Sequence, residues 1–159
     1  MTHRELVEIA GRWLRTTRHC GVVLLEPMHH GVEIPDAIGW KGGVYSIVVE
    51  AKTSRADCRR DAQKCHRRAG CSMGTERWFL APLGVLSAAD IPVGCGFIEW
   101  TGRIVRKRLS PQLVPQTVER LTHESQLLAS ELRIYHAQGI TYRPIPQTTR
   151  NPRAETSAA

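Results

Sequence analysis

A chain of 159 residues, 42% of them apolar and 23% charged, has the size of one ordinary domain and enough apolar surface for a single core. That balance excludes a collagen-like, coiled-coil or wholly disordered chain. Lys and Arg number 22 against 15 Asp and Glu, a formal charge of +7, so polyanions are the expected partners and nucleic acid is the commonest of them. No run of about 18 apolar residues occurs, so no membrane span is expected. The opening Met1-Thr-His-Arg-Glu is charged at once, unlike a secretory signal. Five cysteines, an odd number, then point to reduced thiols and a cytoplasmic setting.

In chain order, Leu6, Ile9, Ala10, Trp13 and Leu14 recur at helical spacing, which predicts a helix over 3–18. Thr2 caps it, with Glu5 completing the capping box. Residues 20–27 read as a strand, 34–40 as a second, and Lys41-Gly42-Gly43 as a tight turn. Residues 44–52 form the strongest strand pattern, apolar on both faces until Glu50, which predicts a central strand covered on both sides. A helix opens at Ser54 and runs to about Arg68. Residues 77–81 and 96–100 are further strands, and 103–108 a basic edge strand. In the last helix, about 116–138, Val118, Leu121, Ser125, Leu128, Leu132 and Tyr135 step by three and four along one face, the pattern of core packing. Residues 1–142 are expected to form one domain and 143–159, poor in apolar bulk, a disordered tail. The order of elements predicts an α/β fold, a mixed sheet flanked by helices with an αβββαβ core.

Chemistry is expected where charge interrupts the central strand. Glu50 and Lys52, two apart, share a face, and a hairpin of the second and third strands lays Asp36 across from Glu50. Two converging carboxylates repel unless a cation sits between them, and hard oxygen ligands select Mg²⁺ or Mn²⁺. The carbonyl of Ala51 offers another oxygen. Lys52 is placed to orient or help deprotonate a water and to offset charge on phosphorus, the requirements of phosphodiester hydrolysis.

Pro35-Asp36 followed by Glu50-Ala51-Lys52, on this order of elements, resembles the PD-(D/E)xK nuclease superfamily. The stretch Glu50-Ala-Lys-Thr-Ser-Arg-Ala-Asp57, then Asp61 and Arg77-Trp-Phe-Leu-Ala-Pro82, is most similar to its MmcB-like branch, whose members are linked to DNA repair. The similarity spans roughly residues 20–138. It implies a restriction-endonuclease-like fold and a Mg²⁺- or Mn²⁺-dependent deoxyribonuclease in which Asp36, Glu50 and Lys52 are catalytic. Asp36, Glu50 and the Ala51 carbonyl would then hold the metal. Glu26 is the leading candidate for a further acid, with Glu5 and Glu8 as alternatives. Glu33, three residues before Asp36, is expected to face the other way. One departure is that Asp61 is followed by Gln63-Lys64-Cys65, without the lysine and aromatic placed as the branch has them.

Arg55, Arg59, Arg60 and Lys64 on the second helix are candidate phosphate contacts to DNA, set against the alternative of a solvated face with an Asp57–Arg60 pair. Arg103, Arg106, Lys107 and Arg108 form a second basic stretch. Two other readings stand beside the enzyme: a catalytically idle nucleic-acid-binding scaffold of the same fold, and a zinc protein built on Cys58, Cys65 and Cys71. His30 is a minor candidate near the acids. A homodimer is kept open, with the last helix as its contact.

Overall fold

The computed structural model describes residues 1–28, 33–62 and 73–140. The elements are α1 (His3–Thr16), β1 (Val22–Leu25), β2 (Ala37–Trp40), β3 (Ser46–Ala51), α2 (Arg55–Ala62), β4 (Glu76–Pro82), a 3₁₀ turn (Ala88–Asp90), β5 (Gly96–Trp100), β6 (Val105–Leu109) and α3 (Val118–Ala137). The αβββαβ order is the expected one, and the sheet is mixed and six-stranded. The strands lie in sequence order: β1–β2–β3 and β5–β6 pair antiparallel, β3–β4–β5 parallel. The crossover that a parallel β3–β4 pair requires contains α2. The expected tail, 143–159, lies outside the described residues, as does the expected second-helix extension from Gln63 to Arg68.

α1 begins at the capping box read from sequence: Glu5 N–H donates to Thr2 Oγ1 (3.2 Å) and Thr2 N–H to Glu5 Oε2 (2.7 Å). Its apolar stripe, Leu6, Ala10, Trp13 and Leu14, packs on Ile47, Val49, Ala51, Trp78, Leu80 and Ile98. At the sheet's lower end the guanidinium of Arg18 lies 5.5 Å from the Trp13 ring centroid and 5.6 Å from that of Trp78. It also donates to Glu76 Oε1 at 2.6 Å, while Trp78 Nε1–H and the Tyr45 hydroxyl donate to the same carboxylate. Glu76 is buried, and these three donors are what make its burial tolerable.

The opposite face carries two smaller apolar clusters. Ile38, Trp40, Val48 and Met73 meet Leu127 of α3; Phe79, Ala81 and Phe97 meet Cys58 of α2 with Leu86 and Ile91. β3 is buried along its whole length, as its sequence predicts for a central strand.

α3 departs from expectation. Its buried residues are Arg120, Glu124, Leu127 and Glu131, whereas Val118, Leu132 and Tyr135 of the expected core stripe are exposed and Leu121 and Leu128 half-buried. The reason is hydrogen bonding. Glu124 accepts from Trp40 Nε1 (2.9 Å), Ser46 Oγ (2.7 Å) and the Gly74 N–H (3.0 Å), and Glu131 accepts from the Met28 N–H (2.6 Å). The helix covers a polar end of the sheet whose donors need acceptors more than apolar cover.

Gly96 is required by close packing: a Cβ there would stand 2.5 Å from the Trp78 ring. Gly96→Ala is expected to cost about 1–3 kcal/mol, read as a lower urea midpoint with the slope unchanged; an unaltered midpoint would show that β5 and Trp78 are less tightly packed than described.

Candidate functional site

The β2–β3 hairpin pairs Ala37 with Val49, so Asp36 and Glu50 come next on facing strands. Alternation on β3 sends Val49 and Ala51 into the α1 layer and leaves Val48, Glu50 and Lys52 on the other face. The three expected catalytic side chains meet there. Lys52 Nζ lies 3.4 Å from Glu50 Oε2 and 4.0 Å from Asp36 Oδ2. Asp61, from the buried side of α2, adds a third carboxylate 3.4 Å from the same ammonium. Glu50 and Lys52 are buried between the two apolar clusters.

Glu50 is held from its other side by Arg77 of β4, whose Nη1 donates to Oε1 at 2.7 Å. Arg77 also meets Glu33 Oε1 at 2.5 Å, and Glu33 accepts from the Met73 N–H at 2.8 Å. This corrects the expectation for Glu33. Residues 33–36 precede β2 instead of belonging to it, so strand alternation does not apply, and Glu33 turns inward onto the guanidinium that Glu50 uses.

Asp36 is half-buried. Burial first, then the Glu50 charge, push its pKa up to about 6, against the opposing pull of Lys52, the Ala51 N–H and His3. The Ala51 N–H donates to Asp36 Oδ2 at 2.8 Å. Because the N–H and C=O of one strand residue point to the same edge, the Ala51 carbonyl also faces the Asp36 side. Burial alone would lower the Lys52 pKa, but Glu50, Asp61, Asp36 and Asp57 together raise it, so Lys52 is an ammonium. Arg77 is held charged by Glu33 and Glu50 against a similar burial penalty.

Glu26 lies beside Asp36. Its N–H donates to the Asp36 carbonyl (2.9 Å), and its φ of 42° places a non-glycine residue in the left-handed region, a local cost of roughly 1–2 kcal/mol. His3 Nε2 lies between the two acids, 3.6 Å from Glu26 Oε1 and 3.4 Å from Asp36 Oδ1. Glu5 is engaged in the α1 capping box and Glu8 is exposed on α1. Of the candidate phosphate contacts, Arg59 and Arg60 are exposed, with Arg60 4.0 Å from Asp57. Arg55 is engaged by Asp90 at 3.0 Å, and Lys64 lies outside the described residues. So do His30, Gln63, Cys65 and Cys71. Cys58 is buried in an apolar cluster, its thiol 3.5 Å from the Asp90 carbonyl, a packing role.

Among the described residues no three His, Cys, Asp or Glu side chains are grouped as a metal cage. The donor set at Asp36, Glu50 and the Ala51 carbonyl is nonetheless all hard oxygen, and Mg²⁺ is commonly held by one or two carboxylates with water and substrate phosphate completing its shell.

No family model matches the chain, and no curated protein does. A protein of unknown function from Silicibacter pomeroyi is similar in fold, with a TM-score of 0.64 and 18% identity over 92% of this chain and 98% of that one. At that identity the likeness is one of fold. No helix among the described residues is long and apolar enough to cross a membrane.

The raised Asp36 pKa gives a pH test. Between the unfolded value near 3.8 and the folded value of about 6 the native state binds the extra proton. Its stabilising contribution is therefore present in acid and lost as pH rises through about 6. Asp36→Asn keeps an acceptor for the Ala51 N–H and removes the titration. In chelator-treated buffer the variant is expected to gain on wild type between pH 5 and pH 8, on the order of 1–2 kcal/mol by urea unfolding. An equal difference at both pH values would contradict the assignment.

Proposed function

We propose that this protein is a Mg²⁺- or Mn²⁺-dependent nuclease of the PD-(D/E)xK type that hydrolyses DNA phosphodiester bonds, with a role in repair, recombination or phage-like DNA processing. The observation that carries the reading is the convergence of Asp36 and Glu50 on the ammonium of Lys52, on one face of the sheet. Asp36, Glu50 and the Ala51 carbonyl would hold the metal, which when bound supplies positive charge to a phosphate oxygen and acidifies a water.

The chain's own groups do the rest. Arg77 fixes one oxygen of Glu50, leaving the other for the site. Lys52, kept cationic by the acids around it, acts as a donor that orients water and offsets charge gathering on phosphorus; that protonation state disfavours a role as proton acceptor. Arg59 and Arg60, exposed on α2, are the candidate contacts to flanking phosphates. The positive charge of the chain supports a polyanionic substrate.

The test is cleavage of single-stranded, double-stranded and branched DNA with Mg²⁺ or Mn²⁺. Wild type is expected to cut, chelator to abolish cutting, and Lys52→Ala to lower the rate by about 10²-fold or more while the fold, followed by circular dichroism, is retained. DNA binding with no cleavage of any substrate would instead favour the idle scaffold.

A further inference from the structure

α3 turns Arg120, Glu124 and Glu131 inward and leaves an apolar strip outside. Val118 is 82% exposed and Leu132 61%, and Thr122 and Ser125 between them are exposed as well. The strip is uneven along its length. Its N-terminal half holds a shallow depression of about 420 Å³ lined by Val118, Leu121, Thr122, Ser125, Gln126 and Ala129. Its C-terminal half carries the projecting Leu132. One half is a receptor and the other a plug, on the same strip.

We propose that this strip is the contact of a symmetric homodimer in which two copies of α3 pack antiparallel about a two-fold axis at Ser125. A two-fold contact must be self-complementary, and the spacing of these residues meets that condition. With Ser125 facing its own counterpart, Val118 of one copy lies against Leu132 of the second copy and Thr122 against Ala129 of the second copy. Leu132 of each copy then enters the depression of the other. Small side chains at and beside the axis allow the helices to approach closely. The same register brings Glu119, near the helix start, opposite Arg133 of the second copy, twice by symmetry, and both residues are exposed on the same flank of the strip. A parallel pairing would set Glu119 against Glu119 and plug against plug. The contact lies on α3's outer side, away from Lys52, and stands independently of the nuclease reading.

Sedimentation of the full chain tests this. Wild type is expected at twice the 17.8 kDa chain mass at tens of micromolar. Leu132→Glu is expected to give a monomer with an unchanged circular dichroism spectrum. Glu119→Arg and Arg133→Glu, each placing like charges together, are expected to weaken the dimer several-fold, and the double swap to restore it. Ser125→Cys is expected to cross-link into a covalent dimer under mild oxidation, beyond any cross-linking of wild type. A monomeric wild type would overturn the proposal and leave the strip to a different partner. A dimer insensitive to Leu132→Glu, or a charge swap without rescue, would overturn it equally.

Discussion

Arg77 and Lys52 clasp Glu50 between them inside the sheet, and much of the second face is arranged around that clasp. A buried carboxylate between apolar clusters is costly unless its oxygens are paired. Here one oxygen goes to Arg77, which Glu33 shares, and the other to Lys52, which Asp61 and Asp36 share. Residues from the segment before β2, from β3, from α2 and from β4 are thereby tied to one point. The apolar clusters on either side keep water from screening it, so the charges act on one another strongly.

That constraint also explains the division of labour between the two faces. The α1 face is an ordinary apolar layer, closed at one end by Arg18 against the paired rings of Trp13 and Trp78. The other face gives up continuous apolar packing in favour of the charge cluster in its middle and the hydrogen bonds of Glu124 and Glu131 at its margin. Because α3 meets the sheet largely through acceptors, Val118, Leu132 and Tyr135 face outward while Leu127 alone of its apolar side chains is fully buried. The inverted helix and the buried site are two consequences of a sheet face that is polar where most would be apolar.

Much of the fold was legible in the sequence because its signals are local. Thr2 and Glu5 mark a helix start by spacing alone, Gly42-Gly43 marks a hairpin, and the apolar run from Ile47 to Val49 marks a central strand. Asp36, Glu50 and Lys52 were legible for the same reason: two of them share a strand face and the third sits one hairpin away. What could not be read depends on partners distant in the chain. Whether Leu132 or Glu124 faces the sheet is decided by Trp40, Ser46 and Gly74, more than 45 residues earlier in the chain. Arg77 stood in sequence as the first residue of a strand, with nothing local to couple it to Glu33 and Glu50. His3 carried no signal at all, since only the packing of α1 brings it to Asp36. The one sign of Arg77 and Glu33 was charge beside apolar runs, which reports that a partner exists and not which one.

The most direct measurement of the central claim is the position of Mn²⁺, located by anomalous diffraction from crystals grown with the ion. A peak is expected within coordination distance of carboxylate oxygens of Asp36 and Glu50 and of the Ala51 carbonyl, with the Lys52 ammonium displaced toward Asp61. A peak elsewhere, or none at saturating Mn²⁺ with Lys52 still seated between Glu50 and Asp36, would contradict that claim.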